Sequence, residues 1–403
     1  MITDMSLNTL TKKQTRLFNE ALDVLAIKVA EDESSIGIEF PHVTSADGRW
    51  QTYPASWSAG YLDDAWSHGH WTCGFWVGLL VAAHLHTGEK KYLEWARERM
   101  RLVAQRAEDA NTHDIGFIFD GSAVPAHHAT GDSWYADIAL RAAAQLRARL
   151  VPTRDGAYLS SWGPLTDQRA RCSSAIDTMA NLPQLYWAAH HSGDGSFLHA
   201  AEAHARKTAD AFIRPDMSTY HAVTYDAISG ARLRGYTFQG FGDESMWSRG
   251  QAWAIYGYAM TAGETRDPAY LRQAEQLADH YLRRLGDAIV PPWDFDDPSV
   301  SDTIEDSATA AIVSSAFLEI ASLQSENEAS HRWRQHAVTT LEGLCEHYLA
   351  RESVHRGLLL HSCYSRPHGQ GVDAATMFGD FYFVEAICKI AMPGRFRPQA
   401  RSL

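Results

Sequence analysis

Between Phe238 and Trp253 the chain reads Phe-Gln-Gly-Phe-Gly-Asp-Glu-Ser-Met-Trp-Ser-Arg-Gly-Gln-Ala-Trp. Aromatics, an arginine, amides and carboxylates crowd together there, a mixture that suits a polar, ring-shaped ligand such as a sugar. From Ser248 the apolar positions Ala252, Ile255, Tyr256 and Ala259 fit a helix, on which Arg249 and Trp253 lie four apart and share a face. A cation and an indole are expected to line one wall of a pocket, the plainer alternative being a tryptophan buried for packing. Two aspartates stand out as well. Asp114 lies in Thr112-His113-Asp114-Ile115-Gly116-Phe117 and Asp177 in Ile176-Asp177-Thr178-Met179-Ala180-Asn181, each among apolar or small residues at the edge of a predicted helix. Ile115, Phe117, Ile176 and Met179 would exclude water, which disfavours a carboxylate's charge, as does one carboxyl beside another. One of the two is then an acid at neutral pH. The competing reading of each is a helix N-cap.

Other chemistries find less support. His68 and His70, or His127 and His128, are spaced by two or one and do not share a helical face as an i, i+4 pair would, so no metal is expected. Phosphate loops, dinucleotide fingerprints and the Gly-x-Ser-x-Gly elbow are missing from the sequence, so nucleotide chemistry and a serine hydrolase both lack support. Trp66, Trp71, Trp76, Trp162, Trp247 and Trp253 are possible sugar-stacking platforms, although the 13 tryptophans must also fill a core.

The elements that must position these residues are helical. Apolar periodicity predicts helices over 14–30, 74–86, 91–107, 134–150, 181–190, 198–213, 248–261, 269–285, 307–324, 330–350 and 380–390. Strand-like alternation is confined to pieces such as 222–225 and 236–238, so the fold class is all-α. The phrases Thr87-Gly-Glu-Lys-Lys-Tyr-Leu93, Ser192-Gly-Asp-Gly-Ser-Phe-Leu198 and Thr265-Arg-Asp-Pro-Ala-Tyr-Leu271 each close one helix and open the next. The first helix of each such hairpin is apolar nearly all round and the second is amphipathic, which suggests two concentric rings of helices, a toroid with loops at one end building the site. A superhelical solenoid would show a cleaner, shorter period. No Pro/Gly/Ser-rich linker or charge run divides the 403 residues, which predicts a single catalytic domain over 1–403, with 1–13 and 392–403 as flexible or peripheral ends.

A formal charge of −13, from 36 basic against 49 acidic residues, repels nucleic acid and anionic membranes, so an anionic ligand must be held by a local exception. Five scattered cysteines without a CxxC pair indicate neither a disulfide framework nor a zinc knuckle and fit a reducing compartment. The amino terminus has no apolar core long enough for a signal peptide, and no segment approaches a membrane span, so the expected location is cytoplasmic. Oligomeric state is not fixed by these features.

Four motifs, in order, resemble those of the unsaturated glucuronyl hydrolases, glycoside hydrolase family 88. They are Thr-His-Asp-Ile-Gly-Phe at 112–117, Ile-Asp-Thr-Met-Ala-Asn-Leu-Pro at 176–183, Trp-Ser-Arg-Gly-Gln-Ala-Trp at 247–253 and Gly-Asp-Phe-Tyr-Phe-Val-Glu-Ala at 379–386, and the likeness runs from about Trp71 to Glu385. The resemblance implies an (α/α)6 toroid of nested helix hairpins. It implies removal of the Δ4,5-unsaturated uronic acid that polysaccharide lyases leave at the non-reducing end of glycosaminoglycan-type oligosaccharides, by hydration of a vinyl ether and without a metal or organic cofactor. By motif, Asp177 resembles the general acid and base and Asp114 the second carboxylate. His221 and Gln239 resemble polar sugar contacts, Arg249 suits the uronate carboxylate or developing charge, and Trp162, Trp247, Trp253 and Trp71 resemble stacking residues. Some members bind substrate sulfate through a Ser-x-x-Ser-x-Lys loop; here Ser362 and Ser365 keep the serines, Pro367 stands at the lysine position, and Arg366 adjoins it. His113 and His68 are read as satisfied structural histidines. Competing functions are an unsaturated rhamnogalacturonyl hydrolase acting on pectin fragments, a sugar epimerase using paired histidines on a similar toroid, and a non-catalytic glycan-binding scaffold.

Overall fold

Residues 10–57, 69–299, 304–325, 328–352 and 354–398 are described by a computed structural model; Trp66 and His68 lie outside them. In chain order the helices are α1 (Lys12–Glu33), α2 (Cys73–Thr87), α3 (Lys91–Val103), α4 (Ile115–Asp120), α5 (Ala123–Thr130), α6 (Ser133–Ala148) and α7 (Gln168–Arg171). They continue with α8 (Leu182–Ser192), α9 (Gly195–Phe212), α10 (Ser248–Thr265), α11 (Pro268–Leu285), α12 (Ser307–Leu323), α13 (Glu328–Gly343) and α14 (Met377–Ala391). Four short antiparallel sheets complete the chain: β1 (Phe40–Thr44) with β2 (Trp50–Tyr53), β3 (Leu150–Thr153) with β4 (Gly156–Leu159), the trio β5 (Ser173–Ala175), β6 (Ala222–Tyr225) and β7 (Arg232–Tyr236), and β8 (Ser362–Ser365) with β9 (Gln370–Ala374).

Helices of two kinds alternate, as the patterning predicts. Residues 73–83 of α2, 248–259 of α10, 307–318 of α12 and 377–388 of α14 are buried without a break, whereas α11 buries only a stripe, Tyr270, Ala274, Leu277, Ala278, His280 and Tyr281. A helix apolar on one stripe turns its other face to water; one buried all round must have neighbours on every side. The turns between partners use the expected signals. Gly88 and Gly193 take left-handed φ values of 76° and 74° at the ends of α2 and α8, a conformation that a Cβ disfavours. At the third hairpin Arg266 adopts φ 56°, and Asp267 then caps α11 by accepting the Ala269 N–H ahead of Pro268.

The fully buried helices contact one another in a circuit: α2 on α4, α4 on α8, α8 on α10, α10 on α12, α12 on α14, and α14 back on α2. Behind them lie α3 on α2, α6 on α4, α9 on α8, α11 on α10, α13 on α12, and α1 on α2 and α14. The amino-terminal ends of the inner helices gather at one end of this circuit, where Trp71, just ahead of α2, meets Phe117 of α4 and Phe378 of α14, and Arg249 of α10 reaches Asp306 at the start of α12. Between 107 and 134, where no helix is predicted, α4 and α5 complete the inner layer. Expectation and structure also differ at 236–238, where the strand runs instead over 232–236 as β7.

At the opposite end the carboxyl-terminal stretch is packed inward. Phe396 is 3% exposed, and the largely covered Arg397 lies between Glu385, 2.7 Å from its Nε, and Asp120 at the end of α4. Glu385 also accepts hydrogen bonds from Tyr256 (3.1 Å) and Ser315 (2.9 Å), so the guanidinium joins α4 to α14 and Glu385 joins α14 to α10 and α12. Arg397→Met leaves two buried carboxylates short of their counter-charge and is expected to destabilise the protein by about 3–5 kcal/mol. Urea unfolding measures this, and a loss below about 1 kcal/mol would show the pair to be dispensable. No helix among the described residues is long and apolar enough to cross a membrane.

Candidate active site

Asp114 ends the loop entering α4. It is no N-cap in the side-chain sense: its carboxylate makes no capping hydrogen bond, and its Oδ2 instead accepts from the Thr112 hydroxyl at 3.0 Å. Asp177 sits in a 3-10 turn, Ile176–Asn181, that leads from β5 into α8. Two features press this turn against its neighbours. A Cβ on Gly116 of α4 would lie 2.6 Å from the Asn181 Cβ, and one on Gly257 of α10 would lie 2.4 Å from the Met179 Cβ, so glycine is what allows both helices to approach. Asn181 fastens the junction, its Oδ1 accepting the Phe117 N–H and its Nδ2 donating to the Asp177 carbonyl at 3.0 Å.

Between the two acids stands His113, fully buried. Its Nε2 is 3.0 Å from Asp177 Oδ1 and 3.4 Å from Asp114 Oδ1, and its Nδ1 lies 3.0 Å from the Ser161 carbonyl. A carbonyl only accepts, so Nδ1 carries a hydrogen, and Nε2 faces the carboxyls. Ser161 is the hub of the arrangement: its carbonyl also accepts the His113 N–H (2.8 Å), while its hydroxyl accepts the Ala175 N–H (2.8 Å) and bonds Thr178 (2.9 Å) on either side of Asp177. The sequence gives no sign of Ser161, and the reading of His113 as a structural histidine misses that its partners are the two acids. The only hint was its place beside Asp114.

Burial dominates the electrostatics of all three groups. It raises Asp114, the charge of Asp177 adding to the effect and His113 opposing it, so this carboxyl stands above its ordinary range. Burial likewise pushes Asp177 upward, but the His113 charge and hydrogen bond, with His221 and Arg249 behind them, outweigh it and hold Asp177 below. For His113 burial acts downward and is overcome by Asp114, Asp177 and the Ser161 carbonyl, so the imidazolium is favoured. These directions favour an imidazolium beside the Asp177 carboxylate and, of the two acids, favour the protonated form at Asp114. Among the described residues these three side chains are also those close enough to share a cation; their donors already engage one another through the Nε2 hydrogen. His70, His127 and His128 are not brought together: His70 bonds Thr72, and the other two face the carbonyls of Asp132 and Gly394.

The walls sort the remaining predicted residues. His221, whose carbonyl accepts the Ile176 N–H, packs 4.3 Å from Trp247 and 4.1 Å from Phe238, ring centre to ring centre. Its Nδ1 bonds Thr237 at 2.9 Å, and its Nε2 is buried with no partner among the described residues, while burial pushes its pKa down to about 3. A buried, bare imidazole nitrogen beside Asp177 is an acceptor or donor awaiting a ligand group. Trp162 stands edge-on to His113 (5.3 Å) and Phe238 (5.2 Å), and Gln239 donates to the Tyr364 carbonyl at 3.4 Å. Trp71, half-buried, donates to the Tyr364 hydroxyl at 3.2 Å.

Three expectations change. Arg249 is 2% exposed and its guanidinium donates to Asp306 (3.0 Å) and to the carbonyls of Cys363 and Tyr364, lying 4.6 Å over Trp247 and 4.8 Å over Phe378. It builds the wall from behind, and the indole beside it is Trp247. Trp253 turns instead into the core between Phe117 and Tyr382, 5.1 Å from each, because its position in α10 faces the inner packing. Ser362 is fully buried and serves the start of α12, accepting the Ala308 N–H at 3.1 Å and bonding Ser307 at 3.0 Å. Ser365 bonds His368 (2.7 Å), and Arg366 pairs with Asp297 over the face of Trp293.

No family model matches the chain. It is 33% identical to the unsaturated glucuronyl hydrolase of Bacillus sp. (strain GL1) over 376 residues, 91% of this chain and 95% of the relative. To the unsaturated glucuronyl hydrolase of Formosa agariphila it is 35% identical over 321 residues, 79% of each. In three dimensions it is similar to the crystal structure of the unsaturated glucuronyl hydrolase responsible for the degradation of glycosaminoglycan from Bacillus sp. GL1, with a TM-score of 0.84 and 30% identity over 95% of this chain and 100% of that one.

Proposed function

The chain belongs to the unsaturated glucuronyl hydrolase family, and on that premise we propose that Asp177 and Asp114 carry out the hydration by which it acts. The enzyme is a glycoside hydrolase that removes the unsaturated uronic acid from lyase-generated, glycosaminoglycan-type oligosaccharides. Asp177 gives a proton to C4 of the C4=C5 bond, whose π electrons form the new C–H bond and leave a cation at C5 shared with the ring oxygen. Water then adds at C5, losing its proton to the Asp177 carboxylate, and the hemiketal opens to release the remaining sugar. Asp114 holds substrate hydroxyls and, when ionised, stabilises the cation. His221 Nε2 and the Gln239 amide contact the uronate ring, with Trp247, Trp162 and Trp71 bounding it. Because the Arg249 donors are engaged by protein carbonyls and Asp306, the converging amino-terminal helix ends supply the positive field that draws an anionic uronate into an acidic protein.

One observation carries this reading: two carboxyls, Asp114 buried and Asp177 partly so, distant in sequence, meet within 3.4 Å of one imidazole nitrogen inside an aromatic wall. A sugar epimerase needs two histidines with nitrogens available to substrate beside the reacting carbon; here His113, between the two acids, has both nitrogens committed, and His221 offers its Nε2. The circuit of inner helices and its outer layer support an (α/α)6 toroid. Five free cysteines support a cytoplasmic setting. Unsaturated disaccharides from chondroitin, hyaluronan, heparin, gellan and pectin, followed by loss of enoate absorbance, test the reading. Turnover of the glucuronyl disaccharides is expected. Turnover of the pectin fragment alone would assign the rhamnogalacturonyl activity instead, and none on any would leave a binding protein.

A further inference from the structure

An acid that protonates carbon must hold a proton when substrate arrives, yet in the unliganded site His113 Nε2 lies 3.0 Å from Asp177 Oδ1 and favours its carboxylate form. The nearest transferable hydrogen is the one on His113 Nε2, 3.0 Å from Asp177 Oδ1. The other nitrogen of the ring is fixed as a donor to the Ser161 carbonyl, so a proton leaving the imidazolium can leave only from Nε2, toward the carboxyls. We propose that His113 is a positioning residue that stores the catalytic proton and passes it to Asp177 when the substrate excludes water from the site. This rests on the proposed roles of the two aspartates.

The step balances without a co-reactant. The Nε2–H bond breaks and its electron pair stays on nitrogen; an O–H bond forms on Asp177, and an ion pair becomes a neutral pair. Water exclusion favours that exchange, because two separated charges lose more solvation than a neutral acid and a neutral imidazole do. After Asp177 has protonated C4, the proton it takes from the attacking water passes on to Nε2 and restores the ion pair. The geometry explains why one histidine touches both acids. Its charge lets Asp177 rest ionised without repelling Asp114, and its Nε2 lone pair, once bare, accepts from the Asp177 hydroxyl. Other titratable and charged groups face the set from neighbouring elements. Arg249 and His221 act on Asp177, Arg106 and Arg149 on Asp114, and His204, pushed down to about 3 by burial, remains neutral beside His113.

Two measurements test the proposal. In protein labelled with 15N-histidine, the ring resonances absent from His113→Gln identify His113. They should report both nitrogens protonated at pH 7 in the free enzyme, and a bare Nε2 in the complex with a saturated uronyl disaccharide as a non-reacting probe. A ring that is already neutral in the free enzyme, or unchanged on binding, overturns the proposal; should His113→Gln fail to fold, through-bond correlation from the assigned backbone of the wild-type protein identifies the ring instead. In the folded His113→Gln variant kcat should fall by about a hundredfold, the scale of one acid–base contribution, with KM changed less than about threefold. The alkaline limb of kcat/KM should move toward acid by at least about half a pH unit, because carboxyls alone release the proton earlier than imidazole does. A merely structural histidine leaves that limb where it was, whatever kcat does, and that result also overturns the proposal. Wild-type enzyme inert toward every disaccharide would instead count against the hydrolase reading, leaving the 15N result to stand separately.

Discussion

Asp177→Asn is expected to lower turnover of an unsaturated glucuronyl disaccharide by roughly 10³–10⁴-fold, toward the upper end of what one general acid–base group contributes. The amide keeps the shape of the side chain, and its oxygen can still accept from His113 Nε2, so Ser161, Asn181 and the turn around them retain their hydrogen bonds. What disappears is the ability to accept and return a proton. The pH dependence of stability follows from the direction of the shift. Asp177 is held below its ordinary carboxyl range, so its ionised form favours the folded state above the unfolded value near pH 4, and that contribution fades as pH falls through the lower folded value. The variant should therefore unfold slightly more easily than the parent at pH 7 and become equal to it in strong acid. Absorbance assays beside denaturant melts at both pH values measure these effects. Retention of a tenth or more of the parent's kcat would remove Asp177 from its role, and a difference in stability that grows toward acid would contradict the ion pair with His113.

Much of this architecture was legible because the physics that specifies it is local. Helices buried all round, such as α10 and α12, show as unbroken apolar or small-residue runs, and Gly88, Gly193 and Asp267-Pro268 mark where one helix ends and the next begins. The inner helix α4 escaped detection because it has only six residues, too few for a 3.6-residue period to register, and Gly116 and Gly121 argue against it. Yet Gly116 is what brings Asp114 to Asp177. The two acids stand out by their apolar flanks and take their proposed roles from the family motifs around them, whereas recognition of His113 needed a contact across 64 residues that no spacing rule supplies. The wall pairs Arg249 with Trp247 and not with Trp253 for a related reason. Helical spacing pairs Arg249 with Trp253, but the guanidinium also has an acceptor in Asp306 and two carbonyls on its other side, and satisfying those turns it over Trp247, which precedes the helix. Ser362 was misjudged likewise, since its hydroxyl answers the unpaired N–H at the start of α12, a demand invisible without the helix beside it.

Arg249→Met gives the largest expected loss of stability near the site. The arginine is the counter-charge of Asp306, which is fully buried and otherwise accepts only from Thr309 (2.9 Å) and the Cys363 N–H (3.3 Å) among the described residues. Methionine fills similar space over Trp247 and Phe378 but leaves that carboxylate unpaired and takes a charged donor away from the carbonyls of Cys363 and Tyr364, a cost of about 3–5 kcal/mol. The carbonyl losses are not simply additive to this, since all three acceptors share one guanidinium. Restoring neutrality should then help: Arg249→Met combined with Asp306→Asn is expected to recover a good part of the lost stability, because the buried charge is gone even though the arginine is not. Activity should follow a different course. Tyr364 and Trp247 are held in place by this arginine, so kcat/KM stays low in both the single and the double variant. A substrate-binding role for Arg249 makes the opposite forecast, namely unfolding energies close to the parent's, a raised KM, and no benefit from Asp306→Asn. Urea unfolding of the four members of this cycle, with steady-state kinetics on each, separates the two. If the single variant unfolds like the parent, the guanidinium's engagement behind the wall is not what holds the wall together.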